Sequence, residues 1–160
     1  MTDASTLVDA LRERGWTLGV AESLTGGAVA AEIVSVPGAS AVLLGGVVAY
    51  ATPVKQTLLG VDEALLAAHG PVHPEVAAQM AEGVRRAVAV AGRPADVGIA
   101  TTGIAGPDSP DGQPVGTVHI GIVTPRGVRS IPHLFAGTRS QVRLQARDAA
   151  ISAALEAIRE

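Results

Sequence analysis

The 160-residue chain has no cysteine. Disulfides, thiolate-bound metals and a cysteine nucleophile are thereby excluded. Aromatic residues are scarce: Trp16, Tyr50 and Phe135 make up 2% of the chain. A core must therefore be assembled from Ala, Val, Leu and Ile in closely approaching layers, as in an α/β sandwich. Bases would find few aromatic faces to stack on. Net charge is −3 and no basic block occurs, so the electrostatic footprint of a nucleic-acid binder is missing as well. The four histidines, His69, His73, His119 and His133, are read as non-ligands, and no metal site is expected. Long hydrophobic runs are also lacking. The stretches near Ala39–Ala51 and Val84–Ala91 are too short or too interrupted to span a bilayer. The opening "MTDASTLVDALRERGW" has no basic segment followed by an apolar one, so no signal peptide is expected. A cytoplasmic protein without membrane or nucleic-acid partners is the expectation.

What is present is apolar material, 48% of the residues, in a length that suits one domain over residues 1–160. "TLVDALRERG" places Leu7, Val8 and Leu11 on one helical face, with Ser5 to cap it and Gly15 to end it. "WTLGVAES" reads as a buried strand and "TGGAVAAEIVSVPG" as a helix. "AVLLGGVVAY" is continuously apolar, the pattern of a strand covered on both faces. "TPVKQTLLG" follows as a short helix with Thr52 as cap and Pro53 in its first turn. Then come a short helix, "VDEALLAAHG", and a longer one with Val76, Met80, Val84 and Val88 at every fourth position. "ADVGIATTG" is a strand. "VGTVHIGIVTPRGVRSIPHLFAG" is a strand pair turning at Thr124–Gly127, and the last helix opens with Thr138 and Gln141 in capping-box spacing. The order α-β-α-β-α-α-α-β-β-β-α predicts a mixed sheet between helical layers. In such sheets ligands gather at the carboxyl ends of strands. Glu22–Gly27, Tyr50–Lys55 and Thr101–Gly106 all fall there.

Each of these segments has a structural and a chemical reading. In "VAESLTGG", Ser23 or Thr25 can cap a helix while Gly26 and Gly27 permit the turn. The same geometry aims helix N–H groups at an anion, with Ser23 free to attack. In "AYATPVK", Lys55 is either a surface lysine or, desolvated behind an apolar strand, a neutral amine able to take a serine proton. "TTGIAGPDSPDGQPVG" is either a surface loop or a run of small residues that lets backbone approach a ligand. Asp108 and Asp111 within it are read as solvent-exposed rather than metal-binding. In "GTRSQVR", Arg139 and Arg143 sit where the helix dipole disfavours cations. A phosphate or carboxylate ligand would offset that cost, and a plain surface position is the alternative.

Taken together, "AESLTGG", "GGVVAYATPVKQTLLGV", "GPVHPEVAAQMAEG", "TTGIAGPDSPDGQPVGTVHIGI" and "FAGTRSQVRLQARDAAISAAL" resemble the CinA C-terminal domain family, which includes stand-alone nicotinamide-nucleotide amidohydrolases. The resemblance runs over nearly the whole chain from Leu18. It implies a three-layer α/β/α sandwich with a mixed, mostly parallel sheet of about five strands. It also implies hydrolysis of nicotinamide mononucleotide to nicotinic acid mononucleotide and ammonia, with no cofactor. The family's serine falls on Ser23, its lysine on Lys55, its tyrosine on Tyr50 and its late arginine on Arg139. Lys55 is then expected to deprotonate Ser23, and Tyr50 to assist proton delivery. Thr25, Gly26 and Gly27, with Thr102, Gly103 and Gly106, are the expected substrate-binding positions, and Arg139 the phosphate ligand. Thr138 stands where many relatives have an acidic residue, and "DSPDGQ" replaces a glycine-richer loop. The fused N-terminal domain of longer relatives has no counterpart in these residues, so a second activity is not expected; a homo-oligomer is. The alternative is a non-catalytic nucleotide-binding module acting in competence or DNA-damage responses.

Overall fold

The structure is a computed structural model that describes residues 3–160. Within these residues the elements follow the expected order. The strands are β1 (Leu18–Glu22), β2 (Leu43–Val48), β3 (Val97–Gly103), β4 (Thr117–Thr124) and β5 (Gly127–Leu134). The helices are α1 (Asp3–Arg14), α2 (Ala28–Val34), α3 (Thr52–Leu59), α4 (Glu63–His69), α5 (Pro74–Ala87) and α6 (Arg139–Arg159). The sheet order is β2-β1-β3-β4-β5. β1 pairs in parallel with β2 and β3, whereas β3–β4 and β4–β5 are antiparallel. Four of the five strands thus run one way, and only β4 is reversed. Helices cover both faces, so the fold is the expected α/β/α sandwich.

Period-two alternation makes the two faces unlike. Leu18 and Val20 of β1, Val97 and Ile99 of β3, and Val118, Ile120 and Ile122 of β4 all point toward α1, α2 and α6. Full burial of such side chains stabilises by about 1.5–3 kcal/mol each. Of the residues between them, Gly19, Gly98 and Gly121 have no side chain, and His119 is the exception. A Cβ on Gly98 would lie 2.0 Å from the Ala81 carbonyl oxygen, and one on Gly121 would lie 2.1 Å from that of Ala77. The backbone of α5 therefore rests almost directly on the sheet. Val76, Met80 and Val84 fill the remaining space, as the helical spacing predicts.

Three expectations need correction. β2 is an edge strand paired only with β1, and Val48 is 50% exposed, so its unbroken apolar run does not mean cover on both faces. Ser5 lies inside α1, which is already helical at Asp3, so it is not the cap. Thr52 is the first residue of α3, and the cap position belongs to Ala51, without a side-chain bond. The expected capping box of Thr138 and Gln141 is formed. The chain leaves β1 by α2 on one face, and leaves β2 by α3–α5 on the other. That reversal opens a crevice at the carboxyl ends of β1 and β3.

Candidate active site

The turn after β1 is decided by a competition for the N–H groups that open α2. Glu22 wins it. Its carboxylate, 1% exposed, accepts from the N–H of Val29 at 2.9 Å and of Ala30 at 3.0 Å. Ser23 and Thr25 are left without a capping role. The Thr25 hydroxyl is buried 2.8 Å from that of Thr101. The Ser23 N–H donates to the Thr101 carbonyl at 3.1 Å, tying the turn to the end of β3. Gly26 and Gly27 adopt φ of +60° and +105°, a region that favours glycine. From outside, Arg143 donates to the carbonyls of Leu24 at 2.9 Å and Thr25 at 3.2 Å. The turn is thus braced on three sides while the Ser23 hydroxyl stays uncommitted to it.

That hydroxyl meets Lys55. The lysine is on the first turns of α3 and only 1% exposed. Its Nζ lies 2.9 Å from Ser23 Oγ, 2.7 Å from the Ala49 carbonyl and 3.3 Å from the Tyr50 carbonyl. Among the described residues no carboxylate forms an ion pair with it. Burial pushes its pKa down from 10.5 to about 8. As the ammonium, Nζ donates to Ser23 Oγ and both carbonyls. On losing a proton it can keep its bonds to the two carbonyls and turn its lone pair to the serine hydroxyl.

The pair opens on a cavity of about 320 Å³. The structure brings Ser23, Lys55, Tyr50, Thr102, Gly103, Gly106 and Arg139 to its walls. Thr25, Gly26 and Gly27 do not line it; they shape the turn behind the serine. The Tyr50 phenol accepts from Arg139 Nη2 at 3.2 Å, and Arg139 Nη1 donates to the Gly106 carbonyl at 2.7 Å. The tyrosine thus reaches Lys55 through its carbonyl and Arg139 through its ring. The Thr102 hydroxyl donates to the Pro71 carbonyl at 2.6 Å, which fixes the wall formed by Pro71 and Val72. Gly103 has no room for a side chain, since a Cβ would lie 2.7 Å from the Thr117 carbonyl oxygen. Among the described residues the N–H groups of Leu24, Ala105 and Gly106 have no hydrogen-bond partner, and all three residues line the cavity.

The sequence placed Glu22 and Thr101 in the segments at the strand ends but gave neither a role, and it offered Arg143 as an anion ligand or surface residue, whereas Arg143 braces the turn through the Leu24 and Thr25 carbonyls. Glu22 carried a signal, being an acid at the end of an apolar strand just before a Gly-Gly helix start. Arg143, one helical turn after Arg139, carried a weaker one. His69 and His73 have ring centroids 4.6 Å apart, but among the described residues no three His, Cys, Asp or Glu could hold a metal together. No described helix is long and apolar enough to cross a membrane.

Comparison with known proteins agrees with this architecture. A family model described as the CinA C-terminal domain matches residues 2–158. A CinA-like protein of Frankia casuarinae is 48% identical over 136 residues, which are 85% of this chain and 30% of that protein. The chain therefore spans about a third of the length of the curated relatives it matches. Solved structures match over most of their length. A competence-damaged protein (CinA) superfamily member from Klebsiella pneumoniae superposes with a TM-score of 0.90 at 32% identity, over 98% of this chain and 96% of that one. A competence/damage inducible protein from Agrobacterium tumefaciens gives 0.88 at 30% identity, over 100% and 98%.

Proposed function

This chain belongs to the CinA C-terminal domain family, and from that premise we propose that it is an amidohydrolase, releasing ammonia from the carboxamide of nicotinamide mononucleotide through Ser23 and Lys55. The observation that carries the chemistry is the 2.9 Å approach of Ser23 Oγ to a buried lysine that has no acidic partner among the described residues. The substrate comes from the family resemblance.

The steps follow from the geometry. Lys55 Nζ takes the Ser23 proton as Oγ bonds to the amide carbon. The Ala49 and Tyr50 carbonyls hold the ammonium that forms. The free N–H of Leu24, beside the nucleophile, is the donor we assign to the oxyanion, and those of Ala105 and Gly106 are left for other polar atoms of the substrate. Lys55 returns the proton to the amide nitrogen. The C–N bond breaks, ammonia leaves, and Ser23 carries an ester. Lys55 then accepts a proton from the attacking water, and collapse of the second tetrahedral adduct frees the acid and restores the serine. The Tyr50 phenol accepts from Arg139 and keeps its own O–H proton available, so it can assist Lys55 in proton delivery.

Arg139 is assigned to the phosphate. Ammonia release from nicotinamide mononucleotide and from nicotinamide riboside tests both assignments together. Wild type should prefer the mononucleotide. Arg139→Ala should lose that preference by roughly 10- to 100-fold, the range of a hydrogen bond to a charged group, with little change on the riboside. Equal losses on both substrates would remove Arg139 from phosphate binding. The names of the relatives speak of competence and damage, and the second reading is a non-catalytic nucleotide-binding module acting in such responses. That reading requires binding without turnover, and ammonia release by the wild type would end it.

A further inference from the structure

Charges of both signs line the cavity. Arg139 is tied to the loop of residues 103–116 through the Gly106 carbonyl, and Asp108 and Asp111 belong to that loop. No ion pair joins the arginine to either acid among the described residues. Asp111 is already engaged: its carboxylate accepts from the Gln113 N–H at 3.1 Å and from Gln113 Nε2 at 2.8 Å. The same Nε2 donates to the Val72 carbonyl at 2.9 Å, which straps the loop onto the opposite wall. Asp108 lies in the same loop and lines the cavity, and its own carboxylate has no hydrogen bond or ion pair among the described residues. It is exposed, so water satisfies it in the free protein.

An acid in that position narrows the ligand. A purely anionic molecule held by Arg139 would also meet the carboxylates of the same lining and be repelled. A purely cationic one would leave Arg139 unused. A dipolar ligand, with a cationic ring and a phosphate, satisfies charges of both signs. We propose that Asp108 is a specificity-determining residue: its carboxylate selects a positively charged, N-substituted pyridine ring over neutral carboxamides. This rests on the amidohydrolase reading above. It also gives a role to the "DSPDGQ" loop, where the chain departs from the glycine-richer pattern of the family it resembles.

The test compares nicotinamide mononucleotide with its reduced form, whose dihydropyridine ring is neutral while ribose and phosphate are unchanged. Binding of each is measured by calorimetry to Ser23→Ala, which cannot turn over, and to Ser23→Ala with Asp108→Asn. The added Asp108→Asn change should weaken the cationic ligand roughly fivefold, the size of one solvent-exposed charge contact, and leave the reduced one unchanged. An equal effect on both ligands, or on neither, overturns the role of Asp108. Wild-type protein assayed for ammonia release separates the two levels. No hydrolysis of the mononucleotide overturns the parent reading, whereas hydrolysis with an unchanged binding ratio overturns only the role of Asp108.

Discussion

The turn at residues 22–27 and the loop at residues 103–116 face the same cavity and are built in opposite ways. In the turn, the polar groups are bound to other elements of the fold. Glu22 is bonded to α2, the Ser23 N–H and Thr25 hydroxyl to Thr101, and two carbonyls to Arg143. In the loop, Ser109, Asp111 and Gln113 bond chiefly to one another, and Gln113 supplies the strap to Val72. The difference reflects two demands. A nucleophile and its base must hold their geometry to within a fraction of an ångström, so rigid elements fix them. Recognition tolerates variation, and loops carry it.

The largest expected effect lies at the braced end. Ser23→Ala should lower the rate of ammonia release by at least about 10³-fold. Its thermal melt should stay near wild type, because Glu22 and not Ser23 caps α2. A variant that folds and keeps near-native turnover would remove the serine mechanism.

Next comes the base. Lys55→Arg cannot be deprotonated at working pH and should lose about 10²- to 10⁴-fold in turnover, with substrate affinity largely kept. In the wild type the active form is the neutral amine. Because its pKa is lowered to about 8, kcat/KM should rise with pH through about 8 and level off above. The sign for stability follows from the same shift. Between about 8 and 10.5 the unfolded lysine holds a proton that the folded one has released, so this group makes the fold more stable as pH rises across that window. A flat activity profile from pH 7 to 9 would show that Lys55 acts as a charge and not as a base.

Glu22→Gln sharpens the comparison. The amide keeps one acceptor but turns its NH₂ toward a helix N–H, leaving that buried donor unpaired at a cost of about 1–3 kcal/mol. Turnover should fall about tenfold through a displaced Ser23, seen in kcat rather than KM, since nothing in the lining is removed. The smallest effect is expected from Gln113→Ala. It cuts the loop strap, so KM should rise roughly two- to fivefold, while kcat stays and stability moves within about 0.5 kcal/mol. If Gln113→Ala lowered kcat more than Glu22→Gln, the roles of the two segments would be reversed.

Much of the architecture was legible in the chain order. The helical spacing of Val76, Met80 and Val84, the alternation in "ADVGIATTG" and the Thr138–Gln141 box are local signals. They survive folding because the residues that make them are neighbours in sequence. The candidate residues Ser23, Lys55, Tyr50 and Arg139 could be named from the motifs they belong to. Other features were decided only by tertiary structure. Glu22, Ser23 and Thr25 all compete to cap α2, and the direction in which β1 ends gives the bonds to Glu22. The edge position of β2 is invisible in its apolar run, because exposure depends on what packs beside a strand. Lys55 lies 32 residues from Ser23, and its proximity and lowered pKa both come from remote chain that excludes water. The sequence by itself determined which elements form and which side chains are available for chemistry. The fold decided which of them meet and in what charge state, because burial and distance are properties of the packed whole.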